Sequence, residues 1–256
     1  MEPLLSAHVN PLPHSSDLDV HEVVHLPTTT STMDEAHARA SRGAPAGTLI
    51  VADEQTAGRG RSGNVWESDS GQGVWFTLIE RPTDAAAVDV MAIRIGLTIA
   101  SAIQALAAEP IQLKWPNDLF VDAKKLAGIL VEARWRERAL DWVAIGVGIN
   151  LQLPKNNDNA GTLQSGTSRN DVLLRVIPAL RKMATIAGSL SVNELVAWKS
   201  RDFALDRAVI SPIAGVVRGL ESTGALRVED ANGTLHELRS GSLVFAPDQP
   251  DQTTFQ

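Results

Sequence analysis

The amino-acid sequence predicts an α/β fold that ends in a small β-barrel. Short apolar runs with a period of two recur over the first 150 residues, where strands outnumber long helices. From Ala208 onward the pattern changes to brief apolar runs separated by glycines, including the Asn232-Gly233 pair. Because Asn-Gly between two apolar runs is a strong hairpin signal, we expect antiparallel strands in this last part.

The larger part begins with a predicted strand and a short predicted helix. Pro27 and the threonines after it are expected to end the first strand. Ser31 and Thr32 precede Asp34 and Glu35 at capping-box spacing, which predicts a helix that ends near Gly43. The strands predicted for the larger part are residues 18–26, 48–52, 74–79, 111–114, 126–133 and 142–150.

Three longer helices are predicted in the larger part. The most apolar segment, residues 85–108, is interrupted by Asp89, Arg94 and Gln104, a pattern typical of a buried core helix rather than a membrane span. The other two helices are expected over residues 171–187, where Pro178 can introduce a kink, and over residues 192–202.

The composition limits the classes of function. With 44% apolar residues among 256, the chain can form an ordinary globular core. The absence of cysteine excludes disulfides, cysteine–zinc sites and thiol catalysis, and it suits a reducing compartment, so we expect the cytoplasm. A formal charge of −7 without an extended basic stripe argues against a nucleic-acid partner.

The expected organisation is two folded units with a tail at each end. Residues 1–17 hold three prolines and no positively charged leader, so they predict a loose tail rather than a signal peptide. Residues 18–205 form the larger unit, residues 206–248 the barrel and residues 249–256 a second tail. Because the barrel is below the size that usually folds alone, we expect it to pack on the larger unit.

The segment QTAGRGRSGNVW, residues 55–66, places two arginines among three glycines. If the segment is extended, Arg59 and Arg61 point to the same side and can bind one anionic ligand, while the glycines let that ligand approach the backbone. A solvated surface turn is one alternative. An RNA-binding patch is another, although one glycine–arginine copy in an acidic chain is not a tract.

The segment WVAIGVGIN, residues 142–150, predicts a strand with one apolar face and one bare face. Gly146 and Gly148 share the bare face, and Asn150 adds an amide at its edge. Two glycines do not stabilise the interior of a strand, which favours a ligand or another backbone against this face. A bulge or a tight sheet contact is the alternative.

The segment LKWPNDLFVDAKKLAGILVE, residues 113–132, holds polar groups around a Trp-Pro-Asn turn. Lys114 and Asp118 flank the turn, and either residue could simply be solvated there. In a regular strand Lys125 and Gly128 would point to opposite faces. Either the strand therefore begins after a bend at Leu126, or Gly128 contributes through its main chain.

The segment HEVVH, residues 21–25, matches the H-E-x-x-H pattern of zinc peptidases, which depends on a helix. The surrounding alternation predicts a strand instead. On a strand His21 and His25 would lie about 13 Å apart, too far to share one zinc ion. A zinc peptidase is therefore a distant alternative.

Four segments together closely resemble the biotin protein ligase family: TSTMDEA, DEQTAGRGRSGNVW, LKWPNDLFVDAKKLAGILVE and IGVGIN. The resemblance extends over about residues 20–246, and the combination is far more specific than any one motif. It implies a class II synthetase-like catalytic domain with a mixed sheet and a C-terminal SH3-like barrel. It also implies ATP-dependent attachment of biotin to one lysine of a biotin carboxyl carrier protein, through biotinyl-5′-AMP.

The resemblance also implies a biotin site. Ser31, Thr32 and Gln55 would contact the ureido ring, and the main chain at three glycines would form the slot. The implied biotin-binding residues are Ser31, Thr32, Gln55, Gly58, Arg59, Arg61, Lys125, Gly128 and Gly146.

For the nucleotide and the chemistry, the resemblance implies a second set of residues. Trp66 would stack on adenine and Asn150 would hydrogen-bond it, while ATP would bring Mg²⁺ without a protein metal site. The implied ATP-binding residues are Arg59, Arg61, Trp66, Asn117, Lys125 and Asn150. The implied catalytic residues are Arg59, Arg61, Lys125, Asp118 and Lys114, with Asp118 beside the incoming lysine.

Two positions depart from the family pattern. Met33 stands where asparagine is frequent, and Asn64 stands where a basic residue is frequent. Only some twenty residues precede the first predicted strand, so we expect a monofunctional enzyme without the winged-helix domain of bifunctional members and without repressor activity. No membrane partner is expected, and a homodimer is plausible by resemblance. Lipoate protein ligase and a non-catalytic biotin-binding module are the alternatives.

Overall fold

A mixed seven-stranded sheet organises the larger part of the protein, whose computed structural model describes residues 11–155, 157 and 160–247. Its strands are β1 (Glu22–Thr29), β2 (Thr48–Gln55), β3 (Gly73–Glu80), β4 (Gln112–Lys114), β5 (Asp118–Val121), β6 (Lys124–Arg136) and β7 (Ala139–Asn150). Their order across the sheet is β1-β2-β3-β7-β6-β5-β4. β1 and β2 are parallel, and all other neighbours are antiparallel.

Helices cover both faces of this sheet. They are α1 (Thr32–Ser41), α2 (Val88–Ile103), α3 (Arg169–Met183) and α4 (Val192–Lys199). Ile50 of β2 packs with Met33 and other apolar residues of α1. Its neighbours Leu49 and Val51 belong to the larger core that contains the apolar residues of α2 and α3. Because strand residues alternate between faces, β2 thus separates the α1 layer from the α2–α3 layer.

The apolar helix α2 is a core element. With the helical turns at its two ends it forms the stretch Ala85–Leu106, which by length and composition alone could cross a membrane. Most of this stretch is buried inside the protein. Arg94 of α2 is 3% exposed, and its Nε donates to Glu194 Oε1 of α4 at 2.6 Å. The predicted core helix is confirmed, although it ends before residue 108.

A five-stranded antiparallel sheet forms the C-terminal part. It contains β8 (Ala208–Ser211), β9 (Gly215–Leu220), β10 (Leu226–Glu229), β11 (Leu235–Leu238) and β12 (Val244–Phe245), in the order β11-β10-β9-β8-β12. β10 and β11 form the hairpin predicted from Asn232-Gly233, with Gly233 at φ +80°. In the described part of the chain the edge strands β11 and β12 do not pair with each other. A closed SH3-like barrel and the domain limits therefore stay predictions.

Several predicted elements differ in their bounds or in their ends. β1 continues through Pro27 to Thr29, because an edge strand tolerates the missing N–H of proline. Ser31 caps α1 through a bond from Met33 N, so the predicted capping box does not form there. Capping boxes begin α3 and α4 instead, at Ser168 and Ser191. The short strand β5 was not predicted, since its first residue, Asp118, was assigned to a turn.

Candidate active site

A cavity of about 120 Å³ opens on the face of the large sheet that carries α1. It lies between the start of α1, the glycine–arginine loop (residues 55–66), the turn between β4 and β5, and the central strands. The predicted site residues that line it are Ser31, Thr32, Gln55, Arg59, Arg61, Trp66, Asn117, Asp118, Lys125, Gly128 and Gly146. Three predicted residues, Gly58, Lys114 and Asn150, lie outside its lining.

Glycines form the floor of the cavity, and side chains of the protein itself rest on them. A Cβ at Gly146 would lie 2.7 Å from Met33 Cε, and one at Gly148 would lie 2.4 Å from Trp66 Nε1. A Cβ at Gly128 would lie 2.8 Å from Trp66 Cζ3. The bare face is therefore covered by two side chains, rather than by a second backbone as one prediction had it.

A hydrogen-bonded network of polar side chains closes one end of the cavity. Gln55 Oε1 accepts from Thr32 N at 2.8 Å and from Thr32 Oγ1 at 3.1 Å. Thr77 Oγ1 donates to Thr32 Oγ1 at 2.9 Å, and Gln55 Nε2 donates to Ser68 Oγ at 2.8 Å. Ser31, which is 1% exposed, adds its hydroxyl next to this network. The structure thus brings Ser31, Thr32 and Gln55 together, as predicted.

The segment that carries the two arginines is not extended, so the alternation expected for Arg59 and Arg61 does not apply to it. β2 ends at Gln55, and a helical turn over Arg61–Gly63 bends the loop. Arg59 donates to Asp34 and to Glu132. Arg61 Nη1 donates to Asn117 Oδ1 at 3.0 Å and to the Gly241 carbonyl at 3.5 Å. Both side chains still line the cavity, on different walls.

A bend at Leu126 brings Lys125 to the same side as Gly128. Leu119 pairs with Ala127 and Phe120 pairs with Lys125, so Leu126 is an extra residue in β6 and forms a bulge. The bend at Leu126 of the first alternative is present, but the strand begins before it, at Lys124. Lys125 Nζ then lies 2.8 Å from Asp118 Oδ1 and 5.2 Å from the Trp66 ring centroid.

Lys114 lies outside the lining of the cavity, but it is close enough to Asp118 for the two charges to interact. Its Nζ lies 5.6 Å from the ring centroid of Phe120 and 5.1 Å from that of Phe245 in β12. Burial lowers the pKa of Lys114, and the nearby Asp118 carboxylate opposes that shift. Lys114 therefore links the turn that carries Asp118 to the C-terminal sheet.

Asn150 and Gly58 also lie outside the cavity. The buried Asn150 Nδ2 donates to the carbonyls of Lys125 and Gly161, both at 3.2 Å. Asn150 lines a neighbouring groove together with Trp66 and Lys125. Gly58 packs against its own loop, because a Cβ there would lie 2.3 Å from the Trp66 carbonyl oxygen. Both residues support the walls of the cavity instead of facing into it.

Comparison with known proteins identifies the family. Residues 25–150 match the model of the Biotin/lipoate A/B protein ligase family. The biotin–[acetyl-CoA-carboxylase] ligase of Mycobacterium tuberculosis is 30% identical over 236 residues, which cover 84% of this chain and 86% of that protein. The chain belongs to the biotin protein ligase family.

Further relatives of this ligase-family chain differ in how much of their length aligns. The bifunctional ligase/repressor BirA of Bacillus spizizenii is 39% identical over 130 residues, half of this chain but only 40% of that protein. The biotin protein ligase of Aquifex aeolicus, solved with biotin and ATP, superposes with a TM-score of 0.73 at 24% identity, covering 88% of this chain and 99% of that one. At that identity the superposition shows the shared fold.

Several residues at or beside the cavity of this biotin protein ligase family member were not predicted from the sequence. Thr77 and Ser68 complete the polar network, and Ser242 reaches the cavity from the C-terminal part. Thr77 carried a signal, because it is the one polar residue inside the apolar run VWFTLI of β3. Asp34 and Glu132, the partners of Arg59, carried none, since no local pattern indicates which distant carboxylate meets a loop arginine.

Four of the five residues of the HEVVH segment lie on β1, which begins at Glu22, so the segment is not the helix that the zinc-peptidase pattern requires. His25 is in the strand, and its Nε2 lies 2.8 Å from Asp53 Oδ1. Asp53 also accepts from Arg169, and these contacts lower the pKa of the Asp53 carboxyl against the opposing effect of burial. Within the described ranges no group of three or more His, Asp or Glu side chains is placed to hold a metal ion.

Proposed function

We propose that the protein is an ATP-dependent biotin protein ligase that forms biotinyl-5′-AMP and transfers the biotinyl group to a lysine of a biotin carboxyl carrier protein. One observation carries this proposal. A single cavity joins a neutral hydrogen-bonding end, a glycine floor and a cationic end formed by Arg59, Arg61 and Lys125. Biotin has the same sequence of parts: a cyclic urea, an apolar body and a carboxylate.

The neutral end suits the ureido ring. Hydroxyl groups can both donate and accept, so Ser31 and Thr32 can adapt to the N–H and C=O groups of a cyclic urea. Gln55 fixes Thr32 through two hydrogen bonds, which holds this end in one arrangement before a ligand arrives. Along the floor, Met33 lies against Gly146 and Trp66 lies against Gly128, so these two side chains offer a surface to the apolar body.

The cationic end suits the first reaction, in which an oxygen of the biotin carboxylate attacks the α-phosphorus of ATP and pyrophosphate leaves. Two like charges about 4 Å apart repel by roughly 4 kcal/mol at an effective dielectric of 20, close to a thousandfold in rate. Arg59, Arg61 and Lys125 offset this repulsion and stabilise charge that develops on the phosphate oxygens. Mg²⁺ would arrive with the ATP phosphates as part of the substrate.

Asp118 suits the second reaction, in which the carrier lysine attacks the acyl carbon and AMP leaves. The amine must lose a proton as the amide bond forms. Asp118 lines the cavity next to Lys125 and can orient the amine or accept that proton. Because the nucleophile belongs to the carrier, this chemistry needs no serine or cysteine nucleophile on the enzyme.

The glycine–arginine loop and Trp66 are placed where they could protect the intermediate, biotinyl-5′-AMP, from water. Biotinyl-5′-AMP is a mixed anhydride that water would hydrolyse, so a loop that closes over it preserves it until the carrier arrives. Trp66 already lies on the floor of the cavity and lines the adjacent groove where Asn150 and Lys125 lie. An adenine ring placed in that groove would contact the indole.

The test is ATP–pyrophosphate exchange, measured without added acid, with biotin and with lipoate. We expect exchange that depends on biotin, and we expect Arg61→Ala to abolish it while the circular dichroism spectrum is retained. Biotin-independent exchange, or an equal response to lipoate, would overturn the proposal. A second arm follows label transfer from biotin to an apo carrier domain, and a protein that binds biotin without exchange would be a non-catalytic biotin-binding module.

Several narrower assignments belong to this proposal. The carrier of acetyl-CoA carboxylase is the proposed partner, supported by the name of the Mycobacterium tuberculosis relative. The roles of the individual site residues, the Mg²⁺ requirement and the cytoplasmic location are proposed with it. The absence of a nucleic-acid or membrane partner and a homodimer stay predictions of the sequence.

A further inference from the structure

Arg59, a residue of the proposed catalytic set, is held between two carboxylates of the protein itself. One guanidinium nitrogen donates to Asp34 in the first turn of α1, and another donates to Glu132 of β6. The side chain of Arg59 is 40% exposed and that of Glu132 only 17%. The proposed chemistry uses Arg59 but assigns no part to either carboxylate.

Glu132 is fixed in place by a second chain of hydrogen bonds. Its Oε2 lies 2.7 Å from His37 Nε2, and Trp142 Nε1 donates to His37 Nδ1 at 3.0 Å. Because Nδ1 accepts from Trp142, a neutral His37 carries its proton on Nε2 and donates it to Glu132. These hydrogen bonds therefore hold the Glu132 carboxylate in a position where it accepts from Arg59.

The arrangement affects any anion that enters the cavity. Arg59 lines the cavity while its guanidinium already faces two negative charges. A ligand carboxylate or phosphate can gain a full contact with Arg59 only by replacing one of these partners or by sharing the guanidinium with it. A neutral ligand of the same shape meets no such competition.

We propose that Asp34 and Glu132 are positioning residues that hold Arg59 at the cavity wall and compete with the anionic group of the ligand, so that they set the preference of the site for a charged acid over its neutral analogue. This inference rests on the proposed function, since it takes biotin as the acid. Asp34 and Glu132 are outside the proposed catalytic set. Their proposed role is to adjust how strongly Arg59 binds the anionic group of the ligand.

The expected change in biotin affinity follows from the partial exposure of the ion pairs that Arg59 makes. Partly exposed ion pairs change equilibria modestly, so removal of one competing charge should tighten biotin binding about two- to fivefold. The effect should be specific to the charged ligand. Asp34→Asn keeps the size of the side chain and its acceptor oxygen, and it changes only the charge.

The experiment is titration calorimetry of the full chain with biotin and with biotinamide, in which a neutral amide replaces the carboxylate. For Asp34→Asn and for Glu132→Gln we expect tighter biotin binding and unchanged biotinamide binding. Asp34→Glu should restore the wild-type ratio of the two affinities. Glu35→Gln is the matched control, because Glu35 is on the same helix but pairs with Arg39, and it should change neither affinity.

A double-mutant cycle separates competition from a structural effect. In an Arg59→Ala background, Asp34→Asn should no longer change the ratio of the biotin and biotinamide affinities. Equal changes for both ligands, or a ratio unaltered by Asp34→Asn and Glu132→Gln, would overturn the inference. If the wild-type chain binds neither ligand, the proposed function itself fails, and the two failures are thus distinguishable.

Discussion

Gly148 and Trp66 fit together so closely that a Cβ on Gly148 would lie 2.4 Å from Trp66 Nε1. Gly128 lies directly opposite Gly148 on the neighbouring strand, so the two glycines form one flat surface beneath the indole. Among the described residues Trp66 Nε1 is buried without a hydrogen-bond partner. The indole is therefore held in place by its close fit against the two glycines.

Gly148→Ala should displace Trp66 and impair adenylate formation. We expect kcat/KM for ATP in the exchange assay to fall about tenfold or more, equal to about 1.4 kcal/mol of lost transition-state stabilisation, because the indole cannot keep its position. Gly96→Ala is the control, since a Cβ at Gly96 would meet Leu113 Cδ2 at an ordinary 3.4 Å. Full exchange activity in Gly148→Ala would show that the position of Trp66 is not required.

Asp118→Asn should slow transfer to the carrier more than formation of the adenylate. Loss of a group that accepts a proton typically costs about 10²- to 10⁴-fold, and that cost should fall on the lysine attack alone. Single-turnover transfer from preformed adenylate, compared with pyrophosphate exchange, measures the two steps separately. The control is Asp122→Asn in the following turn, at φ 49°, a conformation that asparagine also tolerates. Equal losses in both steps would contradict this division.

His37 should make the protein less stable as the pH falls below neutrality. Burial, with smaller effects of Arg134 and Arg59, lowers the pKa of His37 below 6.5, while the bond to Glu132 opposes the shift. The unfolded chain therefore binds more protons on this residue, so its stabilising contribution is complete above about pH 6.5 and declines below it.

Urea unfolding at pH 7, 6 and 5 tests this prediction. His37→Gln should flatten the pH dependence of the free energy of unfolding relative to the wild type. The same change at the exposed His14 is the control. Parallel pH profiles for wild type and His37→Gln would show that His37 does not titrate differently in the folded protein.

Phe245→Ala should loosen the contact between the C-terminal sheet and the β4–β5 turn. The Phe245 ring lies 5.1 Å from Lys114 Nζ, 3.9 Å from Arg207 Cζ, and 5.5 Å from the Phe203 ring centroid. Loss of these cation–π and aromatic contacts should lower the free energy of unfolding by about 2 kcal/mol. The control is Val244→Ala, whose side chain is exposed. If Phe245→Ala and Val244→Ala lower the melting temperature equally, the Phe245 contacts do not stabilise the protein in this way.

The sequence predicted those parts of the site that depend on local patterns. The glycines of β7 indicated a bare strand face, and Ser31 and Thr32 indicated the start of α1. The directions of Arg59 and Arg61 could not be predicted in this way. Arg59 meets Asp34 and Glu132, which are 25 and 73 residues away. The packing of α1 places Asp34 and the strand register of the sheet places Glu132, and neither can be read from a local pattern.

The same limit applies to the direction of Lys125 on β6 and to the surroundings of Lys114. β6 has one more residue than β5 over their paired stretch, and this extra residue forms the bulge at Leu126. The side-chain direction of Lys125 depends on that pairing, so the residues around Lys125 do not predict it. Lys114 Nζ lies 5.1 Å from the ring centroid of Phe245, a residue far along the chain. Hydrophobic period and motif spacing describe residues that are close in sequence, whereas the surroundings of Lys125 and Lys114 depend on residues that are close only in the folded protein.

Arg61 reaches the carbonyl oxygen of Gly241, 180 positions further along the chain, and Ser242 lines the same cavity. The approach to the last strand thus supplies part of the enclosure around the ligand. Shortening the protein from its C-terminal end would expose that enclosure to bulk water before any strand of the large sheet was lost. The far end of the polypeptide therefore contributes to this cavity as directly as the motifs of the larger part do.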